Sequence, residues 1–564
     1  MKSPSSLLLL ACLLFCVHAA AYAADPDFGP NVRIFDPSSQ NAQDTINAIF
    51  QKQEANQFGS ERYAILLKPG KYDLHIPVGF YTQVAGLGQS PDDVSITGSL
   101  EVKARWMNGN ATCNFWRSAE NFSITPTVDR DTVVWAVSQG VAFRHVHVRG
   151  NLSLFDGGWS SGGFLADCKI DGRVIPGSQQ QWLARNDEWK QWDGGVWNMV
   201  FVGVNKPPGG NWPQRPFTVV DKAPVTREKP YLAVSVGGQF VVIVPAMGNG
   251  TTGTSWAAPA EALPISSFFI AHDKESAAAI NAALDAGKSL ILTPGIYHLD
   301  AGIKVTKPNT VVLGLGYPTL IAEKGTPAIT VADVDGVKVA GILLEAGPSE
   351  SPTLLKVGDA GSRASHAANP TFLYDIFARA GGATAGQAAC FVTINSSDVV
   401  GDNFWLWRAD HGAGAGWTSN KNRNGLIVNG KDVTLYGLFV EHTQEYQTLW
   451  NADGGRVYFY QSEIPYDVPD QQAWSHNGEK GYASYKVADN VKTHEAWGLG
   501  IYSYFTAASV VLDNSIEAPA APGIKFHHVV TVRLGGKDGS GISHILNGQG
   551  GAVIGNKFMK EQLD

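Results

Sequence analysis

The apolar residues of this chain come in short runs rich in valine, isoleucine and leucine, broken by Gly, Pro, Asn and Asp. Ala328 to Gly347 (AITVADVDGVKVAGILLEAG) and Gly425 to His442 (GLIVNGKDVTLYGLFVEH) are examples. Runs of this kind predict strands, with the turn residues marking where each one ends. Two stretches break the pattern and read as short amphipathic helices: Ala42 to Asn56 and Ser276 to Gly287. Each is followed by the same succession of features. Ala64 to Ile76 and Thr82 to Gly88 follow the first, and Leu290 to Ile303 and Thr310 to Gly316 follow the second. Pro69-Gly70 matches Pro294-Gly295 at an offset of 225 residues, and Gly86-Leu87-Gly88 matches Gly314-Leu315-Gly316 at 228. The match predicts an internal duplication.

A stack of parallel coils has an open apolar end, and a helix at the start of each copy would cover it. The expectation is an all-β chain built as two tandem right-handed parallel β-helices, each with a short N-terminal capping helix. A propeller of antiparallel blades is the alternative, but no blade signature supports it. The Gly-, Thr- and Pro-rich stretch near 251–264 predicts a linker, so the domains are expected at 25–250 and 265–564. Pro230 to Ala246 reads as a hairpin just before that linker. An interface between the two helices would form a long groove.

Composition narrows the class. With 564 residues, 62 of them Gly, 16 Trp and a net charge of −8, the chain suits a turn-rich globular protein of two or three domains. The negative balance argues against nucleic acid or an anionic membrane as partner. Met1 to Ala23 carries Lys2, an apolar run and a small-residue cleavage site, so a secretory signal and an extracellular monomer are expected. Cys113, Cys168 and Cys390 remain after it, and Cys113–Cys168 is the plausible bridge. No metal or other cofactor is expected. Asp398 and Asp402 could face an ion, yet no dense acidic loop surrounds them.

The chemistry concentrates between Glu441 and Pro469, EHTQEYQTLWNADGGRVYFYQSEIPYDVP. Glu441 and Glu463 stand 22 residues apart, close to one coil, so the two acids could occupy adjacent rungs of one face. Paired carboxyl groups across a groove are the usual equipment for cleaving a glycosidic bond. Two unrelated surface acids are the bland alternative.

Glu441-His442, Tyr446-Gln447 and Gln461-Ser462-Glu463-Ile464-Pro465-Tyr466 resemble the catalytic region of family 55 glycoside hydrolases. Trp135 to Phe143, Ser161 to Asp167 and Gln179 to Trp189 resemble segments of its first helix, and each copy's start is similar to the cap of a pectate-lyase-type β-helix. The resemblance implies an inverting, exo-acting β-1,3-glucanase. It implies Glu463 as general acid, with Tyr466, Gln139, Ser161 and Glu441 around the attacking water or the sugar. His442, Gln447, Gln461, Trp407, Asp410 and His411 are expected to bind the β-glucan. Ile464 and Asp467-Val468 depart from the family's motif. Two rivals remain open: a β-helix lyase needing a base and usually calcium, and a wall-binding relative that has lost activity.

Overall fold

The computed structural model describes residues 25–564, so the expected signal at 1–23 lies outside the described residues. Nearly every strand pairs in parallel with the strand one coil later. In the first half the ladder runs from Val32↔Ala64 through Tyr63↔Thr82 and Thr82↔Arg117 to Met199↔Phe217. In the second half two parallel sheets run side by side from Phe268 to the C-terminal strands. The fold is all-β, with the two helices as its main exception.

Helix α1 (Ala42–Gln53) buries Ala42, Ile46, Ile49 and Gln53, a stripe at helical spacing. It ends earlier than expected because Gln53 is tied sideways: its Nε2 donates to Phe80 O at 2.8 Å, and Phe80 N donates to Gln53 O at 2.8 Å. Helix α2 (Ala277–Asp285) buries Ala277, Ile280 and Leu284, and Ser276 Oγ caps it by accepting from Ala279 N at 3.2 Å. The hairpin is present, Tyr231–Val234 against Phe240–Pro245. The 251–264 stretch is bound to its surroundings. Ala260–Pro264 adds a third antiparallel strand to that hairpin, and Trp256 Nε1 donates to Asp167 O at 2.9 Å.

Six strands of the second half build the site: β1 (Lys338–Ala346), β2 (Phe372–Ala380), β3 (Val400–Arg408), β4 (Thr434–Glu441), β5 (Gly455–Glu463) and β6 (His494–Phe505). Each pairs with the next in parallel. One row of partners reads Glu345, Arg379, Trp407, Glu441, Glu463, Tyr502. The row beside it reads Leu344, Ala378, Leu406, Val440, Ser462, Ile501, and its apolar members join the core of the coil. The two-residue period of a strand therefore sends one row inward and the other towards the first half. Each strand also carries one left-handed residue at the same level: Gly341, Asp375, Asn403, Gly437, Phe459 and Gly498. Asn121, His145, Asp167 and Asn186 repeat the device in the first half. Gly, Asn and Asp adopt this region at little cost, which accounts for most of the column.

The halves meet over a buried charged seam. Arg144 grips Asp375 (2.7 Å) and Asp402 (2.9 Å), Arg185 bridges Asp402 (2.8 Å) and Glu228 (2.7 Å), and Lys229 joins Glu120 (2.9 Å) to Asp375 (3.0 Å). Asp402 is thus occupied by two guanidinium groups. Asp398 accepts from Ser365 Oγ at 2.9 Å and His366 N at 2.8 Å.

The Cys113–Cys168 bridge is not formed; Cys113, Cys168 and Cys390 are all free. Cys168 points into the core of the first coil stack, with Sγ 3.2 Å from Ala166 O, whereas Cys113 packs against the interface cluster. The two thiols therefore sit in different packing clusters. Burial pushes the Cys390 thiol up to about 12 and that of Cys168 well above its ordinary value. A thiol reagent should label Cys113 alone in the folded protein, and all three only after unfolding. Peptide mapping of the label checks this, and prompt labelling of Cys168 would contradict the packing.

Candidate active site

Glu441 and Glu463 close β4 and β5 and are direct register partners, so their backbones lie about 4.8 Å apart, the spacing of neighbouring strands. Both side chains line a pocket of about 560 Å³ between the halves. From the first half, Gln139 Nε2 donates to Glu441 Oε1 at 2.8 Å. Trp405 Nε1 donates to Glu441 Oε2 at 2.9 Å, so both carboxyl oxygens are held. Gly140 makes this meeting possible: at φ +68, any Cβ there would lie 2.6 Å from the Trp405 ring. Ser161 Oγ lies 3.2 Å from Gln139 Oε1 and 2.8 Å from Ser138 Oγ. Ser161, Gln139 and Glu441 therefore form one continuous chain of polar groups across the interface.

Glu463 has a different shell. The Tyr466 hydroxyl donates to its Oε2, and Gln461 Nε2 lies 3.4 Å from Oε1. His442 Nε2 stands 3.9 Å from Glu463 Oε2 and 4.0 Å from Asp410 Oδ1. Burial raises the Glu463 pKa, the His442 charge and the Tyr466 hydroxyl oppose the rise, and Asp410 adds to it. Burial and the neighbouring Glu463 also raise Glu441, well above the ordinary carboxyl value. Two N–H donors favour the ionised form of Glu441 and the Tyr466 hydroxyl favours that of Glu463, so the two neighbouring carboxyls take up and release protons as a pair. Burial raises the Tyr466 phenol well above its ordinary value, as does Glu463, which keeps the hydroxyl a donor.

Asp410 and His411 form an ion pair at 2.8 Å in the pocket wall. Burial tends to raise the Asp410 carboxyl, yet His411 and His442 bring it down to about 2. Burial disfavours charge on His411, but Asp410 and Cys113 outweigh that and raise it to about 10. The wall beside Glu463 is therefore a fixed imidazolium–carboxylate dipole. Trp407 lines the same wall from the row of β3, stacked on Trp405 at 4.9 Å.

The structure thus gathers Glu463, Tyr466, Gln139, Ser161, Glu441, His442, Trp407, Asp410 and His411 in one pocket. Gln447 and Gln461 are the exceptions among the expected sugar ligands. Both are fully buried and outside the pocket lining. Gln447 Nε2 donates to Glu463 O at 2.9 Å, so it braces the strand end. Gln461 lies two residues before Glu463 on the same face, with its side chain fully buried.

The comparisons with known proteins agree with this geometry. Residues 268–463 match the model of the LAM55 pectate lyase-like domain. An exo-β-1,3-glucanase of Streptomyces sp. (strain SirexAA-E / ActE) is 47% identical over 544 residues, covering 95% of this chain and 89% of the relative. This chain belongs to glycoside hydrolase family 55. The structure of sacteLam55A from Streptomyces sp. SirexAA-E superimposes with a TM-score of 0.93 at 46% identity, over 96% of this chain and 98% of that one. A variant of the same protein in complex with glucose gives the same score and identity over 95% and 98%.

The family 55 pocket contains more than the sequence announced. Phe115, Trp159, Gln180, Tyr504 and Leu534 line it too, as do Asn110, Thr112 and Cys113. Trp159 is 65% exposed, an indole held at the mouth with its face in water. It lies in a loop between Gly157-Gly158 and Ser160, where no periodicity marks a side chain as inward or outward. Trp405 could have been found: it sits two residues before Trp407 in a strand and must share its face.

Proposed function

We propose that this chain is a secreted hydrolase of β-1,3-glucan that works from a chain end, on a scaffold of two tandem right-handed parallel β-helices. The observation that carries the reading is the hydrogen bond from Gln139 in the first half to Glu441, the register partner of Glu463 in the second. It brings a water-orienting chain and a proton donor to one pocket. Glu463 gives its proton to the glycosidic oxygen as the bond breaks, and Tyr466 fixes the direction of the carboxyl. Glu441, Gln139 and Ser161 orient the water that attacks the anomeric carbon. Trp159 at the mouth offers a ring face to the sugar, Trp407, buried between Phe58 and Trp405, backs the wall instead of stacking on a sugar as expected, and Asp410, His411 and His442 offer polar contacts. The names of the relatives support a glucan as substrate, and glucose in one related structure fits a pocket of this volume. Secretion rests on the composition of Met1 to Ala23. A monomer with no cofactor completes the reading.

Stereochemistry has two candidate courses. Inversion follows from the family resemblance and from Glu441 having both oxygens engaged by N–H donors, which leaves it poorly disposed to attack carbon. Direct register pairing of the two glutamates favours the second course, retention with Glu441 as nucleophile, which uses carboxyl groups about 5–5.5 Å apart. Proton NMR of the first minutes of laminarin hydrolysis separates them. The expected product is glucose in the α configuration, opposite to the β linkage cut. A β-anomer would establish retention. A ladder of larger oligosaccharides would overturn exo action, and unsaturated products absorbing in the ultraviolet would point to a lyase.

A further inference from the structure

Arg408 ends β3 with its side chain fully buried. Its guanidinium makes a two-pronged contact with Asp467, Nη1 to Oδ1 at 2.9 Å and Nη2 to Oδ2 at 2.7 Å. The same Nη1 donates to His442 O at 3.2 Å, and Nε donates to Asn420 O at 3.0 Å. Asp467 lies directly after Tyr466, on the turn that leaves β5, and it is one of the positions that depart from the family motif. His442 lies directly after Glu441, on the turn that leaves β4. One buried cation thus holds the two turns whose side chains face Glu463. Those side chains touch each other as well, the His442 and Tyr466 rings meeting edge to face at 4.4 Å. The backbone is pinned on both flanks of Tyr466, by Ile464 N donating to Tyr502 O at 2.9 Å and Thr506 N donating to Tyr466 O at 2.8 Å. The Arg408 fork fixes what these leave free, the pitch of the turn towards β3.

We propose that the Arg408–Asp467 ion pair is a positioning clamp that sets where Tyr466 and His442 stand against Glu463, and through them how strong an acid Glu463 is. The inference rests on the reading of Glu463 as the proton donor. The groups facing Glu463 are Glu441 from β4, His442 from the turn after it, Asp410 from the loop after β3, Gln461 on its own strand, Tyr466 from its own turn and Tyr502 from β6. Of these, His442 and Tyr466 hold the carboxyl down, against burial and Asp410. Both hang from the clamp. Loosening it withdraws the two groups that favour the carboxylate, so the Glu463 pKa rises further and the carboxyl becomes a weaker donor. Lysine in place of Arg408 keeps the charge but loses the planar fork and its simultaneous contacts.

Asp467→Asn and Arg408→Lys test the clamp, with Tyr466→Phe as the reference. Asparagine is nearly isosteric with aspartate, and the Asp467 side chain is partly exposed, so this variant separates positioning from folding. On laminarin oligosaccharides both clamp variants should lose about 10–100-fold in kcat, the scale of an ångström-sized misplacement, with KM within about threefold. The alkaline limb of the kcat–pH profile should move to higher pH by about half a unit or more. An aryl β-glucoside with a good leaving group should recover most of the rate. Adding Tyr466→Phe to Asp467→Asn should cost little more, because both act through one hydroxyl. The proposal is overturned by an unmoved alkaline limb with kcat within about threefold of the parent. It is equally overturned by losses that add to that of Tyr466→Phe, or by equal losses on the aryl substrate with a lowered Tm, which would make the pair a brace of the fold. The Glu463 assignment is judged separately by Glu463→Gln, so either idea can fail while the other stands.

Discussion

Glu463→Gln is expected to lower kcat on laminarin oligosaccharides by about 10²–10⁴-fold, the usual worth of a positioned general acid. Glutamine keeps the shape of the side chain and can still accept from Tyr466, but it has no proton to give at useful acidity. The loss belongs to the transition state, so KM should change little. An aryl glucoside whose leaving group needs no proton should regain much of the rate. Glu441→Gln should show no such rescue if Glu441 orients the attacking water as proposed, because that water is needed whatever leaves. The pH profile follows from the direction of the shift. A carboxyl raised above its free value keeps its proton to higher pH, so the parent's kcat falls only as pH rises through that raised pKa. In Glu463→Gln this limb should disappear. Above the free glutamate pKa the folded protein bears the cost of burying this carboxyl, so Glu463→Gln should also raise Tm at neutral pH. Near-normal hydrolysis of the polymer by Glu463→Gln would move the acid to Glu441. Glu495 is a poor substitute: it pairs with His527 at 2.8 Å and lies outside the pocket lining.

Asp375→Ala is expected to be the most damaging single change at the seam. Asp375 accepts three hydrogen bonds from Arg144 and contacts Lys229 at 3.0 Å, all of them buried. Arg144 and Lys229 pull its pKa down despite burial, so it is a carboxylate there. Removing one partner of a buried pair costs about 3–5 kcal/mol, because the cations left behind remain desolvated. Thermal unfolding should show a clear fall in Tm at neutral pH. Activity should fall alongside, since Gln139 and Ser161 reach the pocket only while the halves stay docked. Replacing Arg144 and Asp375 together by Met and Leu should restore part of the loss, because a well-packed apolar pair carries no desolvation cost. A Tm for Asp375→Ala unchanged within a degree would show the seam to be hydrated and soft.

Much of this arrangement was legible beforehand because it is local. The capping helices have a 3.6-residue period, and the strands have turn residues at their ends. A 22-residue gap between two glutamates is one coil, and their register pairing is its direct result. The family motif supplied Gln139 and Ser161, which no local rule could have joined to residues some 300 positions away. What stayed hidden was everything decided by which wall of a coil a side chain leaves from. Cys113 and Cys168 are near enough in sequence to pair, yet one packs in the core of the first half and the other against the cluster between the halves. Gln447 and Gln461 carry the polarity of sugar ligands, but one braces a backbone carbonyl and the other is fully buried beside Glu463. Asp467 read only as a departure from a motif. Its value appears when Arg408, which is 59 positions away, closes on it. The cations of the seam, Arg144, Arg185 and Lys229, were far apart in the sequence, and only the docking of the halves brings them to Asp375 and Asp402.

That seam has a consequence for how the enzyme turns over. A cleft between two domains often works as a jaw that shuts on its substrate. Here the jaw is welded: Arg144, Arg185 and Lys229 each hold carboxylates from elements across the seam, and opening the halves would break these pairs. Substrate therefore meets a slot already cut to shape. Stopped-flow binding of a laminarin oligosaccharide to Glu463→Gln should follow a single phase whose rate climbs in proportion to concentration, without the plateau that a slow closing step imposes. Such an enzyme gives up the water exclusion that closure brings and gains speed in clearing its product. Selection for faster turnover would then act on the rim of the slot, at Trp159 and its neighbours, and leave the frame alone.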